Sequence, residues 1–193
     1  MIKKFFKDSF LYTFAALLTK GMGFFLLPVY THNLTQQEYG TFDYLASIGA
    51  ILSVIATIEI TQGVMRYIAE IEDDHQMMKN YVSSAVWFTL FSYGLVVLIC
   101  FIFSQQIAYL ILDDRQKYPI IEVACLYFLT NAIGYLFNVI FRAQLKTKQA
   151  VLLSLLSAVL VAVFSLYCLL VLGLGIYGLF VAQIIAGCIV VGV

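Results

Sequence analysis

The hydrophobic positions of this chain neither alternate nor form narrow stripes; they run on for the length of a bilayer. Six runs, roughly 9–30, 41–65, 81–103, 119–141, 150–172 and 176–193, are dominated by Leu, Ile, Val, Phe and Ala. About 18 such residues suffice to cross about 30 Å of hydrocarbon as a helix. The period-two alternation of a membrane barrel strand is absent. The expected fold class is therefore an all-α integral membrane protein, one domain over residues 1–193 built as a six-transmembrane-helix bundle.

Composition supports this. Of 193 residues, 63% are hydrophobic and 11% charged, whereas a soluble domain is about half apolar and about a quarter charged. The first run is too long for a signal-peptide core, carries Lys20, and lacks a small-residue cleavage site, so it reads as a retained span. A net charge of zero and the lack of a basic, aromatic-interleaved patch give no reason to expect nucleic-acid binding. All four cysteines (Cys100, Cys125, Cys168, Cys188) fall inside spans without CxxC spacing, which suits packing better than a disulfide framework or a metal site.

Polar residues between the runs set the orientation. With six spans, Lys3, Lys4, Lys7, Arg66, Lys79, Arg142, Lys146 and Lys148 share one side, and only Arg115 and Lys117 the other. That bias places the N-terminus in the cytoplasm. The opening "MIKKFFKDSF" suits a short helix in the cytoplasmic interface or a flexible basic tail.

Charge within the spans is rarer and more informative. Lys20 lies about 15 Å from either surface, where a charge costs about 2.5–3.5 kcal/mol on insertion scales. It needs an acidic partner, a hydrated cavity or loss of its proton. Thr13, Ala16, Gly23 and Leu27 share its helical face, a mostly small or polar surface that belongs inside a bundle or against a cavity. In span 2, Glu59, Gln62 and Arg66 form a stripe toward the cytoplasmic end, and Glu59 is near enough in depth to pair with Lys20. Span 4 carries Tyr127, Asn131, Tyr135, Asn138 and Arg142 along one face, and span 5 repeats the pattern weakly with Ser154, Ser157, Val161 and Ser165. Such stripes serve either as hydrogen-bonded glue between helices or as the lining of a water-filled path. Arg66 and Arg142, at the cytoplasmic mouth, either anchor to headgroups or first capture an anionic cargo.

Motifs for covalent chemistry are missing: there is no phosphate-cradling Gly-rich loop, no HExxH and no nucleophile elbow. Neither enzymatic activity, a cofactor nor a metal is expected. What the sequence does carry is "LLTKGMGFFLLPVYTHNLTQQEYGTFDYL". This stretch resembles the start of the lipid-linked oligosaccharide flippases of polysaccharide biosynthesis. In that family span 1 ends in Pro then Tyr or Thr (here Pro28, Tyr30, Thr31), before a short loop of the form L-[ST]-x-x-[EQ]-[YF]-G (Leu34, Thr35, Glu38, Tyr39, Gly40). "GVMRYIAE", 63–70, is similar to the family's Arg-containing exit from span 2. In the loop, Thr35 can cap a turn or the next helix and Gly40 can relieve a bend.

The resemblance implies one lobe, the N-terminal, of a transporter of twelve to fourteen helices in the multidrug, oligosaccharidyl-lipid and polysaccharide exporter superfamily. The chain ends at Val193 within span 6, so a missing C-terminal lobe or a second copy is expected as partner, alongside membrane lipid. The implied activity is translocation of a polyprenyl-diphosphate-linked oligosaccharide across the bacterial cytoplasmic membrane by alternating access, for surface polysaccharides such as O-antigen. "TKGMGF", 19–24, also resembles the cation-bearing S-R-x-x-G-F stretch of the peptidoglycan-precursor flippases. Lys20 would then contact the diphosphate, with Glu59, Asn131 and Asn138 also lining the substrate cavity. Glu59 would be displaced from Lys20 by substrate, couple transport to protons or sodium, or simply anchor the mouth. Two other classes stay open: a multidrug cation antiporter of the same superfamily, and a non-transporting membrane subunit.

Overall fold

The computed structural model describes residues 2–57, 60–70 and 75–192, and among these there is no strand. Eight α-helices follow in order: α1 (Ile2–Asn33), α2 (Gln36–Thr57), α3 (Ile60–Glu70), α4 (His75–Ile102), α5 (Ser104–Leu112), α6 (Tyr118–Ala143), α7 (Thr147–Leu166) and α8 (Gly175–Gly192). A 3-10 turn, Arg115–Lys117, leads into α6, and a π-helical turn, Tyr167–Val171, ends α7. Six segments are long and apolar enough to span a bilayer: Phe10–Asn33, Gln36–Ala56, Gln76–Ile102, Arg115–Ala143, Thr147–Val171 and Gly175–Gly192. The expected six-span, all-helical architecture is the observed one.

Local chemistry explains the junctions. α1 continues through Pro28, which removes one backbone donor. The next turn is tied down by side chains, with the Thr31 hydroxyl donating to the Leu27 and Pro28 carbonyls at 3.1 Å and the Asn33 amide to Val29 at 2.8 Å. The turn into α2 is a reciprocal cap. Thr35 Oγ1 accepts from the Glu38 N–H at 3.2 Å, while Glu38 Oε2 accepts from the Thr35 N–H at 2.9 Å and from its hydroxyl at 2.8 Å. The helices are so nearly continuous here that Gly40 sits inside α2, not at a bend. Between α7 and α8 the chain turns at Gly173 (φ +61°) and Gly175 (φ +55°), left-handed positions that favour glycine. A Cβ on Gly175 would also meet Glu38 Oε1 at 2.9 Å, so this loop rests on the α2 cap.

α6 is the hub, packed against α8, α4, α3, α7, α5 and α2. Ile121, Ala124, Cys125, Phe128, Ala132, Leu136, Val139 and Ile140 are buried along it. α8 presents Gly178, Ala182, Ala186 and Val190 at four-residue spacing, all buried. Small residues so placed let backbones approach closely, which is how helices associate without a hydrophobic drive in lipid. α2 reaches α6 at Gly49, where an added Cβ would overlap the ring of Phe128. α3 buries Val64 and Ile68 against Ala85, Leu136, Val139 and Ile140. Near the α1–α2 turn, Leu34, Leu169 and Leu179 form a smaller cluster with Val29, Tyr30, Tyr39 and Phe42. Cys100, Cys125 and Cys168 are buried and Cys188 is exposed.

Three segments differ from the hydrophobic runs. The second run extends past the span Gln36–Ala56 into the amphipathic α3, which carries Thr61, Gln62 and Arg66. At the end of α2 the Ala56 carbonyl accepts a hydrogen bond from the Ser92 hydroxyl of α4. The loop between the third and fourth runs contains α5, whose Ser104 and Ala108 are buried while Tyr109 and Leu110 are exposed. The basic opening is helical and continuous with α1.

The two glycine environments predict opposite outcomes. Gly175→Ala should destabilise by about 1–2 kcal/mol, from the left-handed strain alone. Gly40→Ala, in open space within a helix, should be neutral or gain up to about 1 kcal/mol. Thermal unfolding in detergent, each variant against the parent, checks the pair.

Candidate functional site

The polar stripe of α6 separates two cavities. The larger, about 520 Å³, lies among α1, α6, α7 and α8, and the smaller, about 470 Å³, among α2, α3, α4 and α6. Tyr127, Asn131 and Tyr135 line both. This follows from the packing: α1 runs along α7, α2 lies against α4 and α6, and α1 and α2 join in the cluster around Leu34.

All five stripe residues, Tyr127, Asn131, Tyr135, Asn138 and Arg142, line the larger cavity, facing Thr19 and Gly23 of α1, Ser154 and Ser157 of α7, and Gln183 of α8. Asn138 is fixed there: its Nδ2 donates to the Ala150 carbonyl at 3.1 Å and to Ser154 Oγ at 2.7 Å. Ser154 in turn donates to Ala150 at 2.9 Å. Asn138 thus joins α6 to α7 while lining the cavity. Asn131 is exposed and open to both cavities. Ser165, the last member of the span 5 pattern, is buried outside them.

Arg142 stands in the last turn of α6, where its carbonyl accepts from the Leu145 N–H at 3.0 Å. Its guanidinium lies 5.2 Å from the centre of the Tyr12 ring of α1. A cation over an aromatic face is held by the ring quadrupole, worth about 0.5–1 kcal/mol at an exposed site. The contact bridges α1 and α6 at the end of the larger cavity. Among the described residues, Arg142 is the one charged group in either lining, and no carboxylate is present in them.

Lys20 is exposed on α1 and belongs to neither lining. It follows Thr19, which does line the larger cavity, and so stands about 100° further round the helix. Thr13, Ala16, Gly23 and Leu27 on its face are also exposed, flanked by Phe24 and Phe25, 73% and 78% exposed. Glu59 falls outside the described residues, so its pairing with Lys20 has no geometry here. Gln62 lines the smaller cavity, and Arg66 is exposed on α3.

Residues that sequence reasoning passed over are the neutral ones. Ser53, Thr61, Thr89 and Tyr93 complete the smaller cavity, and Thr130 and Gln183 the larger. Only Thr89 and Tyr93 carry a spacing signal, four apart on one face of α4, and hydroxyls within apolar runs are too common for such a pair to stand out.

Residues 5–193 match the family model described as polysaccharide biosynthesis protein, and the chain belongs to that family. No curated protein and no solved structure gives a match.

The Asn138 junction predicts a measurable coupling. A double-mutant cycle of Asn138→Ala and Ser154→Ala, by unfolding in detergent, should return about 0.6 kcal/mol and at most about 1.7. A coupling of zero would mean that the amide does not hold α7.

Proposed function

We propose that this member of the polysaccharide biosynthesis protein family exports a lipid-linked oligosaccharide, one lobe of a transporter that moves a polyprenyl-diphosphate-linked glycan outward across the bacterial cytoplasmic membrane. The observation that carries this reading is the larger cavity, a polar path between spanning helices with Arg142 at its rim and no carboxylate among the described lining residues. An anion crossing a low-dielectric slab needs a counter-charge, and a cavity without acidic groups suits anionic cargo better than the cationic drugs of a multidrug antiporter. On this reading no covalent chemistry is required of the protein.

Lys20 supports the second half of the reading. A lysine near mid-membrane on an uncovered helix face would meet hydrocarbon, at a cost of about 2.5–3.5 kcal/mol. The cost disappears if that face borders water between this lobe and a second one, the usual place of a transporter site. Lys20 and Arg142 then hold the diphosphate at successive depths, lysine as a mobile point charge and arginine through paired donors. Alternating access, with the basic end of the bundle and the N-terminus cytoplasmic, completes the proposal. Arg66, at the same end, adds to the field that draws the substrate in.

Complementation of a deletion strain by the complete protein tests this. Arg142→Gln and Lys20→Gln should each reduce surface polysaccharide at equal membrane abundance, and Arg142→Lys and Lys20→Arg should restore most of it. Losing one charge-assisted phosphate contact, about 1.5–3 kcal/mol, corresponds to roughly 10- to 150-fold in substrate affinity. Undiminished polysaccharide in both Gln variants would sink the reading.

A further inference from the structure

The smaller cavity has a chemistry of its own. Ser53, Gln62, Thr89, Tyr93 and Asn131 bring hydroxyls and amides to it, and Phe128 an aromatic ring, with no charged residue among the described lining. Thr89 is 1% exposed, and its Oγ1 is buried without a hydrogen-bond partner. Buried hydroxyls are nearly always satisfied, because leaving one bare forfeits its hydrogen bonds to water. Tyr93, 2% exposed, stands four residues on along the same helix, and across the cavity the Ser53 hydroxyl donates to the Ala50 carbonyl at 2.7 Å. The site therefore contains one hydroxyl held by the backbone, that of Ser53, and an unpartnered one, that of Thr89 on α4.

We infer that this cavity is a subsite for an uncharged sugar ring, an inference that rests on the export reading and assigns the glycan a place distinct from the diphosphate. Its volume, about 470 Å³, lies within the range of about 300–1,000 Å³ in which small-molecule sites fall. Amides and hydroxyls both donate and accept, as do the hydroxyls of a sugar, so neither partner is left with like facing like. The negative face of the Phe128 ring suits the C–H side of a pyranose. A phosphate would find no cation here, and a metal ion no carboxylate, among the described lining residues. Tyr127, Asn131 and Tyr135, which border both cavities, join this neutral compartment to the one that ends in Arg142. A molecule with a charged segment beside a neutral, hydroxyl-rich one fits the two together.

Protection of a reporter thiol tests the subsite in the complete protein in nanodiscs. Ala50, exposed and part of the lining, becomes the reporter as Ala50→Cys, in a background where the exposed Cys188 is replaced, Cys188→Ser. Maleimide labelling is followed with the methyl glycosides of glucose, galactose and mannose, with N-acetylglucosamine, with pyrophosphate, and with sodium against choline chloride. At a sugar concentration of twice its dissociation constant, labelling should slow about threefold. Thr89→Val should abolish that protection without lowering the thermal midpoint, since it removes an unsatisfied hydroxyl. A merely structural Thr89 would give the reverse, a lowered midpoint with protection intact, which overturns the assignment. Protection by pyrophosphate or sodium instead of sugars, or by none of these compounds, also overturns it. Surface polysaccharide in the deletion strain is scored separately. Sugar protection with normal polysaccharide would retain the subsite and remove the export reading, and lost polysaccharide without protection would do the opposite.

Discussion

Everything in this bundle depends on how closely other helices can approach α6. In lipid, burying a leucine against another helix gains little over burying it in acyl chains, so association rests on close packing and interhelical hydrogen bonds. The small residues are placed accordingly. Gly49 brings α2 onto Phe128, and Ala124, Cys125 and Ala132 keep α6 slim, while Gly178 lets α8 close on Cys168 at the end of α7. Gly187 repeats the device, since a Cβ there would come within 3.3 Å of Thr130. With α6 surrounded on these sides, its remaining face is left for Tyr127, Asn131 and Tyr135, and the cavities form on either side of it.

The connection between α1 and α2 has the complementary task. These helices follow each other with two residues between them, yet lie on opposite sides of the α6 stripe. Short-range chemistry fixes their joined ends: the Thr35–Glu38 cap, the Thr31 and Asn33 bonds that close α1 after Pro28, and the Leu34 cluster. Away from that end α1 is supported by α7, through which Asn138 and Ser154 reach α6. The divergence of α1 and α2 is thus braced at one end by a capped turn and along α1 by the hydrogen-bonded α6–α7 pair.

Much of this was legible before any coordinates, for physical reasons. A bilayer imposes one length and one polarity on every span, so six apolar runs dictate six helices, and the regular recurrence of Tyr127, Asn131, Tyr135, Asn138 and Arg142 marks a face. All five do line one cavity. Less legible was anything set by contact between distant segments. Asn138 reads equally as glue or lining, and only the position of Ser154 shows that it does the former while occupying the latter place. Lys20 shares a face with small residues, which says that the face is special but not which way it points; α7 takes up the neighbouring face. The smaller cavity was invisible because hydroxyls within apolar runs are ordinary, and within its lining Thr89 is marked only by the lack of a hydrogen-bond partner.

The placement of charge in depth gives the export reading its physical form. Arg142 lies level with Tyr12 of α1, and Lys20 follows Tyr12 by eight residues on the same helix, about 12 Å further into the membrane. A single strong site at either depth would bind an anion and keep it, since whatever lowers the energy of the bound state raises the barrier to leaving. On the export reading, two weaker sites about two helical turns apart would divide the crossing into steps, each within reach of a flexible side chain. On the same reading, Tyr12 would serve this arrangement from the outer position. A cation–π contact of about 0.5–1 kcal/mol holds Arg142 in place when no anion is present, and yields readily to a charge-assisted bond worth about 1.5–3 kcal/mol. On the export reading that difference would favour capture, with the aromatic partner left beside the guanidinium to take it back once the anion had moved inward.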